Sequence, residues 1–479
     1  MPTSPRPRPR RRAARLLAAG TLALGGLSAL PATPATARAT DTGVPNGDTI
    51  ANLWEWNWKS VAAECTDVLD PAGYGAVQVA PPAESLKATG LNWWDVYQPY
   101  SYGLNSRFGT EQQFRDMVAT CHGAGVKVYV DAVVNHTSAQ PGTGYGGTKI
   151  SNKYDTPDWD PGDYHRGDDC KDEDLTIDDW SNLSEVQNCE LLGLPDLETE
   201  EEDVRKGIAG YLDKLTAIGV DGYRVDAAKH IPAADLTAIE GYLEPTSSGA
   251  KPYVFQEVYP GATPAPGDYY GTGDVLDFTY ASKLKDQFRG DISNLETFGE
   301  TWGFVPADKS ATFVTNHDTD RNGYTLGLKD GAVTRLANIF QLGRGYGTPS
   351  VYASFTWSDS DGAPPNADGF VTDTDCAGGW TCLDRDTAVK GAVAFHNATD
   401  GASYTNFQAK SADVIGFSRG DKGFMALNNT SADATYTFAT NLADGTYENV
   451  IDGGKSSVTV SGGSAEITVP AMGAVAIHG

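Results

Sequence analysis

The chain has 479 residues with a formal charge of −27, and 40 % of its residues are hydrophobic. That length allows two or three domains with cores of their own. A surface this acidic excludes nucleic acid and anionic membrane as partners, and suits neutral or cationic ligands.

Residues 1–39 have the pattern of an export signal. Arg6, Arg8, Arg10, Arg11, Arg12 and Arg15 form a positive head, L-L-A-A-G-T-L-A-L-G-G-L-S-A-L (16–30) is a short apolar core, and two A-x-A sites follow at 35–37 and 37–39. The apolar run is too short for a spanning helix. The arginine run also fits twin-arginine export. No later run is apolar enough to cross a bilayer, so the mature protein is expected to be soluble, secreted and extracellular.

From about residue 50 to 355, strand-like and helix-like runs alternate. The strand candidates are 50–54, 75–80, 126–130, 222–225, 253–256, 275–278, 312–315 and 350–353. Between them, Val204, Ile208, Leu212, Leu215 and Ile218 fall on one helical face, and the 110–122 and 332–342 stretches read similarly, the first with Thr110 as its cap. Eight strands alternating with helices predict an α/β fold, a (β/α)8 TIM barrel. A doubly wound open sheet is the alternative, but no Gly-rich phosphate loop follows any strand.

One connection is too long for such a barrel. About 60 residues rich in Gly, Asp, Asn and Pro separate His136 from the helix near 200, and loops of that length are functional or small domains. After about 388 the helical period disappears. Short alternating runs between N-N-T, A-D-G and D-G-G turns predict an antiparallel β-sandwich. The expected organisation is therefore a signal at 1–39, barrel at 40–136, a long-loop domain B at 137–197, barrel again at 198–388, and the sandwich at 389–479. Six cysteines in an exported chain point to disulfides. They allow fifteen pairings, of which proximity favours Cys170–Cys189 and Cys376–Cys382, leaving Cys65–Cys121.

Four polar blocks close strand candidates: D-A-V-V-N-H (131–136), G-Y-R-V-D-A-A-K-H (222–230), F-Q-E-V (255–258) and F-V-T-N-H-D (313–318). Carboxylates at the ends of buried strands are costly without a task or a partner. In a barrel these ends form the active-site face, so Asp226, Glu257 and Asp318 would converge from different strands. Two carboxylic acids flanking one bond are what glycoside hydrolysis requires. Arg224, two residues from Asp226 on the same strand face, would keep Asp226 ionised.

On these blocks the chain resembles glycoside hydrolase family 13, the α-amylase family. The animal-type α-amylases in particular share W-E-W-N-W (54–58), Q-V-A-P-P (78–82), W-W-D-V-Y-Q-P (93–99), C-E-L-L-G-L-P-D-L (189–197) and G-F-S-R-G-D-K-G-F (416–424), and the three cysteine pairs. The resemblance implies that Asp226 is the nucleophile, Glu257 the general acid/base and Asp318 the third carboxylate. It implies sugar contacts from His136, His317, Arg224, Trp93, Trp94, Tyr97 and Gln98, and places Lys229 and His230 on the aglycone side, with Trp180 as an aromatic of the long loop. It further implies a structural calcium held by the side chains of Asn135 and Asp196 and the carbonyls of Gln187 and His230, all hard oxygen donors.

Two departures from the animal type stand out. Of its chloride ligands, Arg224 and Asn316 are present, but Ser350 falls where a later arginine stands, so chloride activation is not expected. N-H-D continues as T-D-R-N-G-Y, without the glycine-rich mobile loop. The expected activity is endo-hydrolysis of α-1,4 bonds in starch, glycogen and malto-oligosaccharides with retention, by a monomer. Other activities of the family and a non-catalytic glycan-binding barrel are the alternatives.

Overall fold

The computed structural model describes residues 47–479 except 89, 168 and 171–173. The expected export signal at 1–39 lies outside the described residues. Eight parallel strands form the centre: Ile50–Leu53, Ala76–Val79, Lys127–Ala132, Gly222–Val225, Tyr253–Gln256, Asp274–Leu276, Ser310–Phe313 and Thr348–Phe355. They pair in chain order, and the first pairs with the last in parallel, Ile50 opposite Ser350 and Leu53 opposite Ala353, so the sheet closes into a barrel. Four of these strands are buried along their whole length and the others over most or part of it, which is why they read as near-continuous apolar runs. All eight sequence-derived candidates are strands. The seventh sits two residues earlier than expected, because its last residues already turn towards the short helix Thr319–Asn322.

The helices follow from their periodicity and caps. Glu202–Ile218 buries Val204, Ile208, Leu212 and Leu215. Glu111–Gly123 starts at a reciprocal capping box: Thr110 Oγ1 accepts from the Gln113 N–H at 3.3 Å, and Gln113 Oε1 accepts from the Thr110 N–H at 2.8 Å. Ala332–Arg344 also forms as expected.

The connection after the third strand holds a two-strand hairpin (Gly142–Thr143 with Lys149–Ile150) and one short helix, Leu183–Asn188. The disulfide Cys170–Cys189 closes part of it, while Cys65–Cys121 and Cys376–Cys382 lie on the barrel. Six of the C-terminal strands span Tyr404–Ala409, Val414–Arg419, Gly423–Asn428, Gly473–His478, Ala434–Ala439 and Ser464–Val469, all antiparallel. The outer strands alternate, as Ser464–Val469 does with Ala465, Ile467 and Val469 inward.

One segment differs from the sequence reading. Thr387–Ala398 is a helix within the stretch expected to be strand. Asp386 caps it, accepting from the N–H groups of Ala388 (2.9 Å) and Val389 (3.2 Å), and Val389, Ala392, Val393 and His396 face inward at helical spacing. Its density of small apolar residues hid the period.

Candidate active site

The barrel ladder sets the spacing of the carboxylates. Asp131 lies opposite Arg224, and Arg224 opposite Phe255, on three adjacent strands. Beyond the strand ends the same hydrogen bonding continues: the Asp226 N–H donates to Ala132 O and the Glu257 N–H to Val225 O, each at 3.0 Å. Asp226 and Glu257 therefore leave the sheet at neighbouring positions and face one space. Between them Ala227 holds a left-handed backbone (φ 50°), and its N–H donates to Glu257 Oε2 at 2.9 Å. A non-glycine residue held there is backbone strain located at the site.

Arg224 is the centre of the arrangement. Its guanidinium is buried and donates from Nη1 to Asp131 Oδ1 (2.7 Å) and to Asp226 Oδ1 (2.6 Å). Its Nη2 lies 2.9 Å from Glu257 Oε2 as an ion pair, but the N–H is not aimed at that oxygen, so the contact is Coulombic. One cation thus serves three carboxylates, with Asp318 nearby.

This corrects the expectation that Arg224 alone keeps Asp226 ionised. Burial pushes the Asp226 carboxyl well above its ordinary range, and Glu257 and Asp131 add to the rise against the pull of Arg224. Burial and Glu257 likewise push Asp318 up to about 7. Carboxylates this close push one another up, so their titration belongs to the group as a whole.

A second network joins Asp131 to His317. The Tyr97 hydroxyl donates to Asp131 Oδ2 (2.8 Å), accepts from Trp54 Nε1 (3.0 Å), and lies 2.9 Å from His317 Nε2. With the phenol proton given to Asp131, the network assigns the N–H of His317 to Nε2. Burial, aided by Arg224 and Arg321, holds His317 well below its ordinary pKa, so it is neutral. Nε2 is also 3.3 Å from Asp318 Oδ2. His136 is neutral too, lowered to about 4 by burial, with Nε2 3.0 Å from Tyr97 O.

A cavity of about 850 Å³ opens over this cluster. Asp226, Glu257 and Asp318 line its floor with His136 and His317. Trp93, Trp94, Tyr97 and Gln98 line one side, and Lys229, His230 and Trp180 also border it. Trp180 is 44 % exposed and meets the His230 ring edge-on at 5.9 Å. One of the expected sugar contacts stands differently. Arg224 is buried beneath the carboxylates and does not line the cavity. The Lys229 ammonium donates to the carbonyls of Tyr259 (2.8 Å) and Gly261 (2.7 Å), which ties down the loop after Glu257.

The expected calcium residues lie beside the cavity. Asn135 Nδ2 donates to Asp196 Oδ1 at 2.9 Å, and His165 Nδ1 lies 2.7 Å from Asp196 Oδ2. Burial pushes Asp196 up to about 7 against the pull of His165 beside it. The His230 ring lies 2.7 Å from Val186 O, which brings its backbone to the last turn of helix Leu183–Asn188, where Gln187 sits. Helix C-terminal carbonyls are unpaired and carry partial negative charge. One carboxylate, one amide and free carbonyls make an oxygen-donor set that fits a hard cation.

For chloride, Asn316 Oδ1 is committed to the N–H groups of Asp318 (3.1 Å) and Thr319 (2.9 Å), and Ser350 Oγ donates to Thr312 O at 3.2 Å. Sequence reasoning assigned no role to Asp131, Trp54 or Arg321. Asp131 carried the same signal as the others, a carboxylate at the end of an apolar strand. Trp54 and Arg321 carried none beyond their blocks.

Parallel strands delivering carboxylates to the mouth of a sugar-sized cavity, with an antiparallel domain behind, define a glycoside hydrolase of the barrel class. Comparison with known proteins narrows this. The family profile described as "Alpha amylase, catalytic domain" matches residues 69–248, and "Alpha amylase, C-terminal all-beta domain" matches 404–479. An α-amylase of Streptomyces violaceus is 44 % identical over 92 % of this chain and 76 % of its own length. An α-amylase of Tenebrio molitor is 35 % identical over 90 % of this chain and 97 % of its own. The crystal structure of α-amylase I from Eisenia fetida superposes with a TM-score of 0.87 at 34 % identity, covering 91 % of this chain and 98 % of that one. The chain belongs to the α-amylase family.

Proposed function

We propose that the protein is a secreted α-amylase that cleaves internal α-1,4 bonds of starch, glycogen and malto-oligosaccharides with retention of the anomeric configuration. The observation that carries this is the convergence of Asp226, Glu257 and Asp318 on one cavity around Arg224. Asp226 attacks the anomeric carbon. Glu257, as the general acid, gives a proton to the departing oxygen and then, as the base, takes one from the water that releases the sugar from Asp226. Asp318 and neutral His317 and His136 hold the sugar hydroxyls, while Trp93, Trp94 and Tyr97 offer ring faces and Gln98 an amide. Lys229 and His230 border the aglycone side. The crystal structure of a mutant α-amylase I from Eisenia fetida in complex with maltohexaose supports glucan chains as the ligand class.

Calcium would be held by Asn135, Asp196 and the carbonyls of Gln187 and His230. It would tie the long connection (137–197) to the barrel, through Asn135 after the third strand and His230 after the fourth. Chloride is not required, since Ser350 supplies no charge. The arginine-headed N-terminus and the three disulfides support secretion. The protein acts as a monomer.

Retention is tested by following fresh products of maltoheptaose hydrolysis by proton NMR. The α-anomer is expected first; initial β-anomer would rule the mechanism out.

A further inference from the structure

Arg321 lies three residues after Asp318, on the short helix Thr319–Asn322. Its Nη1 donates to His317 O at 2.7 Å. Its guanidinium carbon lies 5.0 Å from the ring centre of Trp54, 5.2 Å from Trp93, 5.2 Å from Phe355 and 5.5 Å from Trp357. Its Nε and Nη2 are buried without hydrogen-bond partners, so the aromatic faces, together with the carboxyls of Glu55 and Asp318, compensate the charge. Trp54 lies flat on His317, centroids 4.8 Å apart at 9°, and Trp93 meets both edge-on at 5.5 and 5.7 Å. Asp320 accepts from Trp357 Nε1 at 2.7 Å and pins the fourth ring.

We propose that Arg321 is a positioning residue for the reaction: one cation gathers Trp54 and Trp93 and bonds the His317 carbonyl, and so fixes His317, Trp93 and Asp318 at the cavity floor. This rests on the reading of His317 and Asp318 as sugar contacts. A buried guanidinium with two unsatisfied donors is unfavourable as mere packing. Its position makes sense when the charge is used. Asp318 is faced by Glu257, Asp131, Arg224 and His317 across the mouth, and by Tyr97 and Tyr259 from neighbouring loops. Burial and Glu257 raise its carboxyl, and Arg224 and Arg321 are the two cations that lower it.

The test compares Arg321→Met and Arg321→Lys with the wild type on maltoheptaose, reading kcat, KM and the pH profile of kcat/KM. For Arg321→Met, kcat should fall about 10- to 100-fold, the scale of a misplaced reacting group. Its acid limb should move to higher pH, because Asp318 loses a cation. Arg321→Lys keeps the charge, so its acid limb should stay put while kcat falls at least about tenfold, because the planar fork is lost. An Arg321→Met enzyme with wild-type acid limb and kcat within about twofold would overturn the proposal. Should Arg321→Met fail to fold, wild-type kcat in Arg321→Lys would overturn it equally. Asp226→Asn, run alongside, separates the two readings: if it is active, the site assignment fails, whatever Arg321 does.

Discussion

Arg224 and Asp226 stand two residues apart where one strand ends, and Arg224 Nη1 meets Asp226 Oδ1 at 2.6 Å. The same nitrogen meets Asp131 Oδ1 from the neighbouring strand at 2.7 Å. The nucleophile is therefore oriented by a cation that it shares with a neighbouring carboxylate.

This sharing predicts graded losses. Asp226→Asn should cut kcat at least about 10³-fold, since the covalent step is removed. Asp131→Asn should cost less, about 10²-fold, because it frees Arg224 and the Tyr97 hydroxyl without touching sugar. Steady-state kinetics on soluble starch checks both; a more active Asp226→Asn than Asp131→Asn would contradict the assignment.

Chloride should not matter. After exhaustive dialysis into a chloride-free buffer, activity should stay within about twofold of the starting value, because Arg224 already faces three carboxylates and Ser350 adds no cation. A large loss restored by added chloride would refute this.

Removing calcium should lower stability. Binding at a hundredfold excess over Kd adds about 2.7 kcal/mol. A chelator should therefore lower Tm in the wild type and change it little in Asp196→Asn. Superimposable melting curves for the wild type with and without chelator would dispose of the site.

A buried ion pair away from the cleft makes a pH prediction. Glu55 and Arg107 are paired and fully buried. Burial, against the pull of Arg107, pushes Glu55 up to about 7. A carboxyl raised above its unfolded value stabilises fully below that value, and the contribution is lost as pH rises through the folded pKa. Between about pH 4.5 and 7 the wild type should thus lose more stability than Glu55→Gln, by about 1–3 kcal/mol. Arg107→Met should be worse than either, costing about 3–5 kcal/mol by stranding a buried carboxylate. Chemical denaturation at several pH values reads this; parallel pH curves for wild type and Glu55→Gln would count against it.

Much of this molecule was legible in the chain. The eight strands announced themselves because strands buried on both faces must be apolar throughout, and the carboxylates at their ends stood out against that background. The helix Thr387–Ala398 was not legible, since Ala, Val and Gly at this density fit either period. Asp131 was visible as a residue but not as a partner. Its role depends on the register that sets it opposite Arg224, and register between strands 90 residues apart leaves no local trace.

The sequence by itself determined the fold class, the family and the block that carries each acid, because those follow from local periodicity and from which residues close each strand. Only the tertiary structure decided how charge is distributed. It gave one arginine to three carboxylates, tied Lys229 to backbone carbonyls, and wrapped Arg321 in four rings. Protonation and orientation depend on burial and on distances of a few ångströms between distant segments, and these exist only once the barrel has closed.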